Sequence, residues 1–110
     1  MLSGAKIDKL DKYGRSPLHV ASAVDYSDMV EFLISKGADI HARTIGENQT
    51  PIHYAAKNDA CNSLVTLLNK GASIEDRDFK ERTPLQVGLI LKAFYRSIAI
   101  LLNDVQISNA

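Results

Sequence analysis

One short motif occurs three times in this chain at nearly constant spacing. The copies read SPLH from Ser16, TPIH from Thr50 and TPLQ from Thr83, and their prolines are separated by 34 and then 33 residues. A single residue inserted between positions 42 and 50 accounts for the difference. A unit that recurs at a constant period contacts only its neighbours, so the sequence predicts a stack of similar units.

Each copy of the motif is expected to begin a helix. Serine and threonine are favoured N-cap residues, and proline fits the first helical position, where an N–H would have no partner anyway. A second helix is predicted in the first two units, because apolar residues recur three and four apart over residues 29–34 and 64–68. Gly37 and Gly71 follow these segments and can adopt the left-handed conformation that commonly ends a helix.

The polar segments between the units, residues 42–49 and 76–82, are expected to project as hairpin-like fingers. An equivalent segment before the first motif contains Gly14, and we call the three segments the first, middle and third fingers. The counterparts of Gly14 are Asn48 in the middle finger and Glu81 in the third. Because glutamate adopts a positive φ much less readily than glycine or asparagine, we expect the third finger to be built differently.

The repeated pattern Asp-x-x-Gly-x-Ser/Thr-Pro-Leu-His-x-Ala, with Gly-Ala-Asp-Ile near the end of the unit, resembles the ankyrin repeat. The resemblance extends from residue 4 to about residue 109. It implies a single all-α domain over residues 1–110, an ankyrin-repeat solenoid of helix-turn-helix units with hairpin-like fingers. The expected divisions are the tail of a preceding repeat (1–10), two repeats (11–43 and 44–77) and a degenerate, capping repeat (78–110).

The first ten residues match the end of a repeat whose helices are absent from the sequence. We therefore expect the chain to be a segment of a longer array; the alternative is a naturally short N-terminus. Loss of the upstream helices should leave the apolar residues Leu18, Val20 and Val24 exposed unless something else covers them.

Composition argues against several classes of protein. The 13 basic and 13 acidic side chains give a formal net charge of zero, which provides no general attraction to nucleic acid or anionic lipid. The most apolar stretch, residues 85–102, contains Lys92 and Arg96, so a pair of packed helices fits better than a membrane span. Cys61 is the only cysteine and no signal peptide precedes the first repeat, which favours a reducing intracellular compartment, either cytosol or nucleus.

The sequence contains no constellation of side chains that indicates catalysis, a metal site or a cofactor. His19 and His53 have no cysteine or carboxylate at ligand spacing, so we expect each to form hydrogen bonds across its own helical turn. Cys61 lacks an activating histidine and carboxylate. The acidic run over residues 25–31 is expected at a helix N-terminus, where it interacts favourably with the helix dipole. We therefore predict a protein that is not an enzyme and uses no cofactor.

The resemblance implies binding through the fingers and the first-helix surface, which together line a concave groove. The expected partner-binding residues are Tyr13, Arg15, Arg43, Glu47, Lys57, Arg77, Phe79 and Lys80. Basic residues outnumber acidic ones in this set, which predicts an acidic or phosphorylated peptide held by bidentate arginine contacts. For each residue the alternative is an ordinary solvated side chain.

Two functions are compatible with these observations. The first is a non-catalytic protein–protein interaction module, a rigid monomeric scaffold within a larger intracellular protein. It would bind a protein or peptide, and neither nucleic acid nor membrane. The alternative is a structural or regulatory segment of a multi-domain protein, such as the cytosolic array of a membrane channel.

Overall fold

The computed structural model describes residues 7–90 and 99–103, and within these ranges the regular structure is helical, without strands. The helices are α1 (Pro17–Ala23), α2 (Ser27–Ser35), α3 (Pro51–Lys57), α4 (Cys61–Asn69) and α5 (Pro84–Ile90). Residues 99–103 are also helical. The predicted all-α architecture is confirmed. Residues 91–98, part of the stretch predicted to form a pair of packed helices, lie outside the described residues.

The first helix of each unit begins at the proline of the repeated motif, as predicted. Ser16 and Thr50 have extended backbone, with ψ of 166° and 168°, which is the conformation of an N-cap residue. Helices α1 and α3 are short because Asp25 and Asp59 follow them closely with φ of 61° and 54°. Aspartate tolerates this left-handed conformation better than most residues, so it turns the chain towards the second helix.

The second helices also end where the sequence predicts. Gly37 and Gly71 have φ of 96° and 99°, and each follows the last turn of α2 or α4. The acidic run does not act at a single helix N-terminus, which differs from the prediction. Asp28 lies in the first turn of α2, whereas the Asp25 carboxylate accepts the Ser63 backbone N–H of α4 at 2.8 Å. Asp25 therefore stabilises the start of a helix in the next repeat.

The helices form two layers. Helices α1, α3 and α5 pack side by side, and α2 and α4 form the second layer behind them. The core lies between the layers, and its largest fully buried apolar side chains are Leu18, Val30, Leu33, Ile52, Leu64, Leu67, Val87 and Leu101. The predicted exposure of Leu18 is wrong, because this side chain is 0% exposed within the core. Val20 and Val24 are exposed, as expected.

All three fingers close by the same backbone hydrogen bond. The N–H of Asp11 donates to the Arg15 carbonyl at 2.9 Å, and the N–H of Asp78 donates to the Arg82 carbonyl at 2.9 Å. In the middle finger the N–H of Thr44 donates to the Gln49 carbonyl at 3.0 Å, and the loop between these two residues is one residue longer than in the other fingers. The inserted residue of the sequence therefore lies at the tip of the middle finger.

The expectation that the third finger is built differently is wrong. Glu81 has a φ of 61°, close to the 77° of Gly14, and its N–H donates to the Asp78 carbonyl at 2.9 Å. The Asp78 carboxylate accepts the backbone N–H groups of Lys80 and Arg82 at 3.0 and 2.9 Å. These hydrogen bonds offset the steric cost of a positive φ at a glutamate.

Candidate partner-binding surface

A groove of about 510 Å³ lies between the fingers and the first helices. Its lining residues are Tyr13, Arg15, Ala23, Ile45, Glu47, Tyr54, Lys57 and Asn58. Four of the eight residues expected to bind a partner are among them: Tyr13, Arg15, Glu47 and Lys57. The structure therefore brings half of the expected set together in one concavity.

Ile45 and Tyr54 line the groove but were not among the expected residues. Ile45 belongs to the lengthened tip of the middle finger, and the insertion was the one signal in the sequence that could have indicated it. Tyr54 follows the histidine of the second motif. Its ring meets the His19 imidazole edge-on, with centroids 5.1 Å apart, so the ring packs against the preceding repeat.

Arg43 and Arg77 lie outside the groove lining, and both guanidinium groups donate to backbone carbonyls of the fingers. Arg43 donates through Nη1 to the carbonyls of Asn48 at 3.0 Å and Arg77 at 2.6 Å, and its Nη2 lies 3.7 Å from Asp76. Arg77 donates to the Glu81 carbonyl at 3.1 Å. The Nη1 donors of Arg43 are therefore occupied, whereas Arg77 uses one of its five donors and forms no ion pair with a carboxylate of the described residues.

Phe79 and Lys80, the remaining two expected residues, lie at the tip of the third finger. The Lys80 ammonium is 5.5 Å from the centroid of the Phe79 ring, within the range of a cation–π contact. The Phe79 N–H donates to the Glu47 carbonyl at 2.9 Å. This bond places the third fingertip directly beside the middle one.

Lys57 is held firmly at one side of the groove. Its ammonium donates to Gln49 Oε1 at 2.8 Å, lies 3.7 Å from Glu47 Oε1 and is 4.0 Å from the centroid of the Tyr54 ring. Burial lowers the pKa of Lys57, and the neighbouring Glu47 carboxylate opposes that shift. Burial, followed by the charge of Glu47, raises the pKa of Tyr54 to about 12. The Tyr54 hydroxyl therefore stays protonated and donates to Glu47 at 3.3 Å.

The histidines connect each first helix to the next finger. His19 Nδ1 accepts the Ser16 N–H at 3.1 Å, and its Nε2 donates to the Gln49 carbonyl at 2.7 Å. A backbone N–H can only donate and a carbonyl can only accept, so the ring is neutral with its proton on Nε2. Burial is the main cause that lowers the pKa of His19, in agreement with a neutral ring. The predicted bond within the turn is confirmed, and the bond to the next finger is an addition.

His53 repeats this arrangement one unit later. It accepts the Thr50 N–H at 3.2 Å and donates from Nε2 to the Arg82 carbonyl at 2.9 Å. Burial likewise lowers its pKa. Gln86, the corresponding residue of the third motif, accepts the Thr83 N–H at 2.9 Å within its own turn. The positions of the middle and third fingers are thus set by histidines of the preceding units.

A buried carboxylate completes the connection between the middle and third fingers. Asp78 Oδ2 accepts hydrogen bonds from Gln49 Nε2 and Arg82 Nε, both at 3.0 Å. Burial alone would raise the pKa of Asp78, but the hydrogen bonds from Gln49 and Arg82 outweigh it and hold the pKa well below its usual range. Asp78 therefore remains charged and holds both fingers in place.

Comparison with known proteins agrees with this architecture. The model of the family described as "Ankyrin repeat" matches residues 13–45 and 47–79, which is more than half of the chain. The chain belongs to the ankyrin repeat family. Ankyrin repeat protein OPG189 of Monkeypox virus is 48% identical over 42 residues, which cover 38% of this chain and 8% of that protein. The ankyrin chain described here thus spans a small part of the length of this curated relative.

Ankyrin repeats are in general protein-interaction modules without catalytic activity. In the described ranges of this ankyrin chain, no three His, Cys, Asp or Glu side chains converge on a point where they could hold a metal ion. Cys61 is buried, and its Sγ lies 3.5 Å from Asp59 Oδ1. None of the described helices is long and apolar enough to cross a membrane.

Proposed function

We propose that this ankyrin chain is a non-catalytic module that binds a segment of a partner protein in the groove between its fingers and first helices. We propose further that it acts as part of a longer intracellular protein. The observation that carries the proposal is the groove of about 510 Å³, in which two tyrosines and two cations converge from successive units. Tyrosine and arginine are enriched among the residues that contribute most to protein–protein affinity.

The groove supports this function because its polar side chains are already held in place. Arg15 donates from Nε to Asp11 Oδ2 at 2.6 Å, and Lys57 is fixed by Gln49, Glu47 and the Tyr54 ring. Side chains ordered before binding lose little conformational entropy when the partner arrives. A preformed concave surface is therefore suited to an extended segment that inserts side chains between the fingers and the helices.

A second surface supports the alternative of a structural segment that packs against other parts of a larger protein. An apolar groove of about 590 Å³ lies on the outer side of α1 and α2. Leu10, Val20, Val24 and Tyr26 line it and are exposed. Exposed apolar surface of this kind is typical of a contact region.

The binding proposal can be tested with peptides selected from a random 16-residue display library on the immobilised chain. Ala23→Trp fills the groove at the last residue of α1, whereas Asn62→Trp places the same side chain on an exposed position of α4. We expect Ala23→Trp to weaken binding of the selected peptides by about tenfold or more, which corresponds to about 1.4 kcal/mol. Asn62→Trp should leave the affinity unchanged.

Circular dichroism establishes that both variants retain their helices before the affinities are compared. If the two tryptophan variants bind the selected peptides equally well, the groove is not the binding site. A different result would point to the apolar groove on the outer side of α1 and α2. In that case both tryptophan variants bind the peptides as well as the unsubstituted chain does, and substitution of Val20 or Val24 weakens the binding.

A further inference from the structure

The three fingertips form one continuous surface. The Ile45 N–H donates to the Tyr13 carbonyl at 3.3 Å, and the Phe79 N–H donates to the Glu47 carbonyl at 2.9 Å. The two bonds are equivalent, because Glu47 follows Tyr13 by 34 residues and Phe79 follows Ile45 by 34 residues. We refer to residues 12–15, 45–48 and 79–82 as the finger ridge.

Each finger contributes one large exposed apolar side chain to the finger ridge. Tyr13 is 55% exposed, Ile45 is 70% exposed and Phe79 is 52% exposed. Adjacent exposed apolar side chains of this size are characteristic of interaction sites. Since Tyr13 and Ile45 also line the groove, the apolar row continues the proposed binding site onto the fingertips.

Cations cover both aromatic rings of the ridge. The Tyr13 centroid lies 5.0 Å from Lys12 Nζ and 4.9 Å from Arg15 Cζ. The Phe79 centroid lies 5.5 Å from Lys80 Nζ and 5.7 Å from Arg82 Cζ. These four contacts place positive charge at both ends of the apolar row.

Only the two lysines keep their charge available for a partner. Arg15 is paired with Asp11 at 2.6 Å, and Arg82 is paired with Asp78 at 2.9 Å. Lys12 and Lys80 form no ion pair with any carboxylate in the part of the chain that the structure describes. The carboxylates of the ridge are Glu47, which is paired with Lys57, and the exposed Glu81. Two available cations thus flank an apolar centre, and one acidic side chain lies beside Lys80.

We propose that the finger ridge selects an acidic partner segment with an apolar side chain at its centre. This inference rests on the proposed function and specifies its partner. The apolar side chain of the partner packs on Ile45 between Tyr13 and Phe79. Carboxylates of the partner on either side of it pair with the ammonium groups of Lys12 and Lys80. Lys12 and Lys80 determine the preference of the ridge for acidic sequences.

A protein segment fits these observations better than nucleic acid or membrane. The net charge of the chain is zero, and Glu81 lies on the ridge, so a densely charged polyanion would meet repulsion as well as attraction. The exposed apolar centre requires an aliphatic or aromatic side chain opposite it. A peptide that carries both carboxylates and such a side chain satisfies all of these features.

The same library selection also tests this inference. The sequences to compare are those of the selected peptides whose binding Ala23→Trp weakens. We expect Asp or Glu on both sides of an aliphatic or aromatic residue. In the selected peptides, Lys12→Gln combined with Lys80→Gln should weaken binding by about fivefold to tenfold and reduce its dependence on salt. The matched control, Lys9→Gln combined with Lys36→Gln, removes the same charge from exposed positions outside the ridge and should have no effect.

Ile45→Ser should weaken the same peptides by about tenfold, because it removes the apolar centre of the ridge. A basic or neutral consensus among groove-dependent peptides, or equal losses in the two lysine pairs, would overturn the inference while leaving the proposed function intact. Stronger binding to phosphatidylserine vesicles than to acidic peptides would overturn it as well. If Ala23→Trp releases no selected peptide, the proposed function itself fails.

Discussion

Among single residues, Gly14 meets two structural requirements at once. Its φ of 77° is in the left-handed region, and a Cβ at this position would lie 2.5 Å from Ile45 Cγ1 and 2.6 Å from the Ile45 backbone nitrogen. Gly37 has a φ of 96° but no atom within 4 Å of the corresponding Cβ. The close approach of the middle finger therefore depends on the missing side chain of Gly14.

We expect Gly37→Ala to lower the free energy of unfolding by about 1–2 kcal/mol, the cost of a left-handed conformation for an alanine. Gly14→Ala should lower it by about 2–4 kcal/mol, because a steric clash with the Ile45 backbone adds to that cost. Urea denaturation of the two variants measures the difference. If both variants lose the same free energy of unfolding, the first and middle fingers can move apart to accommodate the added methyl group at no energetic cost.

Within the fingers, equivalent aspartates have very different surroundings in different units. Asp11 and Asp78 occupy equivalent positions and bind the arginine four residues later. The Asp78 side chain is fully buried and also accepts a hydrogen bond from Gln49, whereas a third of the Asp11 side chain is exposed. Asp78 thus connects two fingers, and Asp11 closes only its own.

Asp78→Asn should lower the free energy of unfolding by about 3 kcal/mol, since it leaves Arg82 without a counter-ion in a partly buried site. Asp11→Asn, the matched substitution at the exposed position, should have a clearly smaller effect because water screens that pair. Thermal denaturation gives the stabilities, and hydrogen exchange at the Lys80 and Arg82 amides reports on the third finger. A loss no greater for Asp78→Asn than for Asp11→Asn would contradict this account.

The sequence predicted those features of the elements that depend on neighbouring residues in the chain. N-capping by Ser16 or Thr50 and helix termination at Gly37 require only local backbone geometry, and these predictions are confirmed. The partner of Asp25 lies 38 residues away in the chain, so the sequence gives no local signal for it. The conformation of Glu81 is supported by hydrogen bonds to Asp78 within the same finger, and the low tendency of glutamate to adopt a positive φ does not take these bonds into account, which explains why the third finger was predicted incorrectly.

The candidate site also combines features that the sequence predicts with features that depend on contacts between distant residues. The family pattern indicated that Tyr13, Arg15 and Lys57 belong to a surface, and the groove contains all three. The engagement of Arg43 by the carbonyls of Asn48 and Arg77 was not predictable, because it depends on how two fingers pack together. Composition alone counts Arg43 as a free group, whereas in the folded chain two carbonyls occupy its Nη1 donors and Asp76 lies 3.7 Å from its Nη2.

Across the whole molecule, the two buried histidines should make stability depend on pH. Burial lowers the pKa of His19 and His53 below the ordinary value of 6.5, so the unfolded chain binds more protons than the folded chain just below that pH. The stabilisation is therefore complete above about pH 6.5 and declines as the pH falls, by at most about 1.4 kcal/mol per pH unit for each histidine. Urea denaturation between pH 5.5 and 7.5, a range chosen to include about one unit on either side of 6.5, measures this slope.

His53→Gln should halve the slope, since glutamine does not titrate. Gln86 shows that a glutamine can accept the N–H of the capping residue, so the variant keeps that bond and loses the one to the Arg82 carbonyl. At pH 7 we expect a loss of about 1–2 kcal/mol for the unpaired carbonyl. A slope that stays the same in His53→Gln would mean that other groups cause the pH dependence.

The histidine bonds have a direction, because each one runs from a first helix to the finger of the following unit. A substitution at His19 therefore disturbs the middle finger, one repeat downstream of the changed residue. Transplanting a finger with its binding properties into another ankyrin scaffold would require the histidine of the preceding unit as well. The smallest piece that can be exchanged between such proteins extends from the middle of one repeat to the middle of the next.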